Sequence, residues 1–176
     1  MLCPGPMNAA DSLNDAAPAP SETGPAAPGS AAGRDAVDLG RLAGLLGYHL
    51  RRAEVFAFQN FAAHLGADGI GPGQLGVLLL VQANPGSNQT RIGRALGIDR
   101  STLVSIVDAL EARGLVRREP SPTDRRSHAL VLTADGGAFL RAIRPRLDAH
   151  EAEIARGLTP AERAQLIDML QRLAAP

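Results

Sequence analysis

The chain has 176 residues, with 18 arginines and no lysine against 18 carboxylates, for a formal charge of zero. That length suits one folded domain with a tail. The longest apolar run, Val77-Leu78-Leu79-Leu80-Val81, is far short of the roughly 20 residues a membrane helix needs. No N-terminal stretch has the apolar core of a secretory signal, so the expected compartment is the cytoplasm and no membrane partner is expected. The one cysteine, Cys3, excludes an internal disulfide framework and a cysteine-based zinc site. Aromatic residues are scarce while Ala, Leu and Arg abound, which predicts a mainly α fold.

Zero net charge hides an uneven distribution. Residues 1–40 hold one arginine against five carboxylates, whereas residues 88–128 hold eight arginines against five. Residues 1–36 are acidic, rich in Ala, Pro and Gly, and have no periodic apolar face. This composition cannot offset the entropy of ordering and predicts a disordered tail. From Leu39 onward, Leu42, Leu46, His49, Ala53, Phe56, Asn60 and Ala63 recur at spacings of four and three. They form one stripe of a long helix that needs a partner, and the segment is bounded here as 37–66. Gly66, Gly69, Gly71 and Pro72 are expected to form a loop before a short buried helix over 74–82.

Two short helices are predicted within 89–113. Ile92, Ala95 and Leu96 make the apolar face of the first, and Gly97 supplies the turn. Asp99 or Ser101 caps the second, whose Leu103, Ile106, Val107 and Leu110 fall at i, i+3, i+4 and i+7. Gly93 faces the junction, where a small residue lets the helices cross closely. Strand-like segments 115–119 and 128–132 follow, separated by a polar loop with two prolines, which predicts a β-hairpin. Thr133 caps the next helix, which should kink or break near Pro145. Thr159-Pro160-Ala161-Glu162 is a capping box ahead of a last helix carrying Leu166, Ile167, Leu170 and Leu173.

A helix-turn-helix followed by a hairpin is a winged helix-turn-helix, expected over 72–132. Residues 89–137 resemble the DNA-binding domain of the MarR family of bacterial transcription regulators. The resemblance rests on Gly97, the L-E-x-x-G-L-V run from Leu110 to Val116, the D-x-R element at Asp124 and Arg126, and the L-T-x-x-G sequence from Leu132 to Gly136. It implies an obligate homodimer held by helix 37–66 and the C-terminal helices of 133–176. That dimer would read a pseudo-palindromic double-stranded operator and act as a ligand-responsive regulator, usually a repressor. It also implies Arg126 in a minor groove, restrained by Asp124.

The residues themselves support this chemistry. Arg100, Ser101, Thr102 and Ser105 are polar and lie off the apolar stripe of the second helix, where they can reach base edges in a major groove. Ser101 and Thr102 can equally serve as helix caps. Arg125 and Arg126 on a proline-stiffened turn suit a narrow minor groove, although an Asp–Arg pair in a solvated turn gives the same sequence. Gln89 and Thr90 open the first helix and could hold a phosphate.

Family members commonly release DNA when a small aromatic acid or phenol binds. His49, with Arg52 and Phe56 on the same side of its helix, could hold such a ligand, or His49 could be a hydrogen-bonded interface residue. His150 beside Glu151 and Glu153 reads as a solvated helix face. No metal site, cofactor or catalytic constellation is expected, so the chain is not read as an enzyme. The rival reading is a winged-helix module without an effector, binding DNA constitutively or docking another protein.

Overall fold

The computed structural model describes residues 37–120 and 128–174. By internal contact the chain divides into two units, Met1–Leu39 and Gly40–Pro176. The expected tail over 1–36 and the hairpin tip over 121–127, with Asp124, Arg125 and Arg126, lie outside the described residues. The second unit is mainly helical with a two-stranded antiparallel hairpin, the expected class. Its elements are α1 (Leu46–Leu65), α2 (Pro72–Ala83), α3 (Gln89–Leu96), α4 (Arg100–Ala112), β1 (Val116–Pro120), β2 (His128–Leu132), α5 (Ala134–Ile154) and α6 (Pro160–Ala174). No described helix is long and apolar enough to cross a membrane.

The core is built by α2, α4, the hairpin, the C-terminal end of α1 and α5, with Leu65, Val77, Leu78, Val107, Leu110 and Leu130 fully enclosed. On α4, Leu103, Val107 and Leu110 are buried and Ile106 packs against them, so the predicted stripe is the one the fold uses. Strand register sets Val116 opposite Leu132 and Pro120 opposite His128.

Several expectations need correction. The first helix does not run unbroken from Leu39. A 3₁₀ turn, Gly40–Gly44, precedes α1, and Gly40 has a positive φ of 49°, which a helix interior excludes. Within α1, the residues buried in this chain are Phe61 and Leu65, which lie on the face toward α5; Leu46, His49, Ala53, Phe56 and Ala63 of the predicted stripe are exposed, as a stripe that needs a partner would be in a single chain. Pro72 is not loop but the first residue of α2, where its missing N–H costs nothing; Gly71 N–H instead donates to Gln74 Oε1 at 3.0 Å. Of the kink or break expected near Pro145, the break does not occur: α5 runs through it. Its position on the exposed side leaves the freed carbonyl to water, while buried Leu140 and Ile143 hold the preceding turn to the core.

His150 is not solvated. It is 6 % exposed, its Nδ1 lies 2.6 Å from Asn60 Oδ1, and Phe61 meets its ring edge-on at 5.4 Å. Burial pushes the imidazole below its ordinary value, and the nearby His64 lowers it further against the opposing pull of Glu151. A folded-state value below the unfolded one means that this contribution to stability is complete above about pH 6.5 and is lost as the pH falls below it. In His150→Gln, the loss of melting temperature between pH 7.5 and pH 5.5 should therefore be smaller than in the parent protein, as thermal unfolding at both values will show.

A polar cluster joins the α1–α2 connection to two distant elements. Arg146 of α5 donates to Asp68 Oδ1 at 2.6 Å, and Arg113, which ends α4, donates to the carbonyls of Gly69 and Asp68 at 2.6 and 3.0 Å. Arg113 also lies over the Phe139 ring, 5.3 Å from its centroid. The C-terminal end of α4 is thus fixed by this cluster.

Candidate nucleic-acid interface

Helix α3 begins at Asn88, whose side chain accepts from Arg91 N–H at 3.0 Å. The preceding residues are tied to β2: Leu130 N–H donates to the Ser87 carbonyl at 2.9 Å and Gly86 N–H to the Leu130 carbonyl at 3.1 Å. These bonds fix the start of α3 against the hairpin. Gly97 then turns the chain with φ 63°, a value open to glycine without a Cβ clash, and Ile98 N–H closes onto the Gly93 carbonyl at 2.9 Å. A Cβ on Gly93 would lie 3.0 Å from Leu103 Cδ2 and 3.2 Å from the Ile98 carbonyl, so the helices cross as closely as expected.

Asp99 caps α4. Its carboxylate accepts the Ser101 and Thr102 N–H groups at 2.9 and 3.0 Å and their hydroxyls at 2.5 and 2.6 Å. The Ser101 hydroxyl, followed by the Thr102 hydroxyl and amide, holds the Asp99 carboxyl far below the usual carboxylate range. Ser101 and Thr102 therefore take part in the cap while remaining exposed on the first turn of α4 with Arg100; Ser105, one turn on, is exposed too.

Between the first turns of α3 and α4 and the start of β2 lies a cleft of about 570 Å³. Its apolar floor includes Ile98, Leu103 and Val104, and its rim carries Gln89, Thr90, Arg94, Arg100 and His128. Sequence reasoning named Gln89, Thr90 and Arg100 but missed Arg94 and His128. A signal for Arg94 was present: it lies four residues past Thr90 on a short helix, hence on the same side. His128 could not be placed, because its position depends on hairpin register.

The arginines of this region divide into two groups. Arg113 is held by backbone carbonyls, Arg117 pairs with Glu119 at 2.6 Å, and Arg118 pairs with Asp108 at 2.5 Å and with Glu111. Gln89, with its amide oxygen turned toward Arg118, also accepts from that guanidinium at 3.1 and 3.2 Å, so its expected phosphate role competes with a structural one. By contrast, the guanidinium groups of Arg91, Arg94 and Arg100 belong to exposed residues and have no hydrogen-bond or carboxylate partner among the described residues. Their charge is directed to solvent around the helix-turn-helix.

The residues proposed for a small ligand lie elsewhere. His49 Nε2 donates to the Ala43 carbonyl at 2.8 Å, Arg52 lies 5.9 Å from the Tyr48 ring centroid, and Phe56 is 43 % exposed. None of the three lines the cleft. Among the described residues no cluster of three or more His, Cys, Asp or Glu is placed to hold a metal ion.

Comparison with known proteins agrees with this geometry. A family model for the MarR family matches residues 68–127. A protein of Thauera aromatica assigned to transcriptional regulation of the hcr operon is 38% identical over 148 residues, covering 82% of this chain and 89% of that protein. The repressor CouR, solved on a 23-mer DNA duplex, is 42% identical with a TM-score of 0.75, covering 80% of this chain and all of CouR. CouR solved with p-coumaroyl-CoA is 40% identical with a TM-score of 0.70, covering 79% of this chain and 98% of the other. The chain belongs to the MarR family of winged helix-turn-helix transcription regulators.

Proposed function

We propose that this regulator is a homodimeric repressor that occupies a pseudo-palindromic operator and leaves it when an aromatic acyl thioester binds. The carrying observation is the set of unpaired cations: Arg91, Arg94 and Arg100 face solvent on the helix-turn-helix while the other described arginines of the basic block are held within the protein. In this reading α4 enters a major groove with Arg100, Ser101, Thr102 and Ser105 at the base edges. Arg91, Arg94 and Thr90 grip phosphates. The wing residues Asp124, Arg125 and Arg126 belong to the same proposal as minor-groove contacts.

Support for the dimer is that α6 buries no residue and that Leu166, Ile167, Met169, Leu170 and Leu173 are each 41–54 % exposed. A helix whose apolar face no other described residue buries needs a partner, and two-fold pairing supplies one. His49, Arg52 and Phe56 lie on the exposed α1 stripe and are proposed to contribute to the effector site once a second copy covers it. The thioester class comes from CouR, which has been solved with p-coumaroyl-CoA.

Genomic fragments selected by the purified protein will supply the operator. Binding should weaken steeply with salt, and Arg94→Ala should reduce the log–log slope by about two, one contact for each protomer. p-Coumaroyl-CoA should release the complex at concentrations where coumarate and free CoA do not. An unchanged slope removes Arg94 from the interface, and an operator complex that no thioester or free acid releases would favour the constitutive binder.

A further inference from the structure

What a hydroxyl can offer a base depends on where its single proton goes. An ionised carboxylate only accepts, so Ser101 Oγ and Thr102 Oγ1, at 2.5 and 2.6 Å from the Asp99 oxygens, both donate to it. Ser105 Oγ, 3.2 Å from the Ser101 carbonyl, likewise donates inward. All three hydroxyls therefore turn only lone pairs outward, beside an Arg100 guanidinium that only donates.

We infer that Asp99 is a specificity-determining residue: by taking the hydroxyl protons of Ser101 and Thr102, it makes the reading face an array of acceptors selective for the exocyclic amines of adenine and cytosine. This inference rests on the operator-reading role proposed above and deepens it. Guanine O6 and N7, thymine O4 and phosphate oxygens are all acceptors and gain nothing from hydroxyls whose protons are committed. Those groups fall to Arg91, Arg94 and Arg100. The division of labour is fixed before DNA arrives, because Asp99 is shared by both hydroxyls and by two backbone N–H groups. It does not titrate near neutral pH, since the same bonds keep the carboxyl ionised.

The test uses the full-length protein and its selected operator. In separate duplexes, each adenine of a half-site is replaced by purine, which lacks the N6 amine, and each cytosine by 2-pyrimidinone, which lacks the N4 amine. Fluorescence anisotropy should show a loss of about tenfold at one or more of these positions. In the Ser101→Ala/Thr102→Val variant that loss should disappear. In Asp99→Asn, a cap of similar quality keeps the helix, but the amide nitrogen donates to one hydroxyl and turns that proton outward. The corresponding amine deletion should then cost less than about twofold, because a hydroxyl whose own proton points outward no longer needs the amine as a donor. Selective binding that no amine deletion weakens, or an Asp99→Asn profile matching the parent, would overturn the inference. Failure to prefer any genomic fragment before a base is altered would overturn the operator reading itself, and this inference with it.

Discussion

Replacing Gly136 by alanine should unfold this protein or cost it about 3 kcal/mol or more, the upper end of what overpacking produces. Helix propensity alone predicts the opposite sign, because alanine is favoured over glycine in a helix by about 1 kcal/mol. Packing decides otherwise. A Cβ at Gly136 would lie 2.0 Å from the Leu115 carbonyl oxygen and 2.9 Å from Leu132 Cδ1. The first obstacle is backbone, and it is held in place: Leu115 O accepts from Thr133 N–H at 3.2 Å and the neighbouring Gly114 O from the Thr133 hydroxyl at 2.6 Å, while Thr133 also caps α5 through Gly136 N–H at 2.9 Å. Relief would require α5 to leave the strand it starts from. Gly137→Ala is the control. Its Cβ would meet Arg141 Nη1 at 3.4 Å, the far end of a flexible side chain, so that variant should be neutral or gain up to about 1 kcal/mol. Denaturant unfolding of the two variants checks both signs, and a Gly136→Ala protein as stable as Gly137→Ala would refute the packing argument.

The same position shows what the sequence could and could not reveal. The L-T-x-x-G pattern was legible as a helix opening, with Thr133 as its cap, because capping chemistry is local. The reason for the glycine was not, since it depends on a carbonyl twenty-one residues earlier in the chain. Periodicity likewise identified the α4 stripe, where Leu103, Val107 and Leu110 are buried, but did not mark the face of α1 that this chain itself covers. A 3.6-residue repeat marks an apolar face without saying whether this chain or another covers it, and in α1 the face used internally is the one with Phe61 and Leu65. His150 looked solvated because Glu151 and Glu153 flank it in sequence, whereas its environment is set by Asn60 and Phe61 of another helix.

Charge gave a similar lesson. The local excess of arginine was visible in the sequence, but which arginines are available for a partner was not. Arg118 is consumed by Asp108 and Glu111 on α4, ten and seven residues away, and only strand geometry brings them together. The L-E-x-x-G-L-V run is therefore more than a helix end followed by a strand. Its Glu111 accepts the Arg118 N–H at 3.0 Å and pairs with the Arg118 guanidinium, fixing β1 on α4. Among the described residues of 88–128, the effective cationic surface is smaller than the residue count suggests and is concentrated at Arg91, Arg94 and Arg100.

Introducing Glu at Leu170 should produce a monomer at micromolar concentration and lower operator affinity at least about a thousandfold, to the level of non-specific binding. Leu170 is 41 % exposed in the single chain and lies between Leu166 and Leu173 on the uncovered face of α6. Within one chain a carboxylate there remains solvated and costs little. In a two-fold interface the same substitution enters twice, and each buried charge without a partner costs several kcal/mol. The lost apolar contact adds roughly 1 kcal/mol per protomer for a half-buried leucine. Operator binding falls further than dimerisation alone would suggest, because the second half-site is held only through the high effective concentration that pairing creates. Light scattering will report the oligomeric state and circular dichroism the helical content. Arg172→Ala is the control: it removes an exposed partner of Asp168 on the same helix and should leave both pairing and binding within about 0.5 kcal/mol of the parent. A Leu170→Glu protein that stays dimeric with parental affinity would place the interface away from α6.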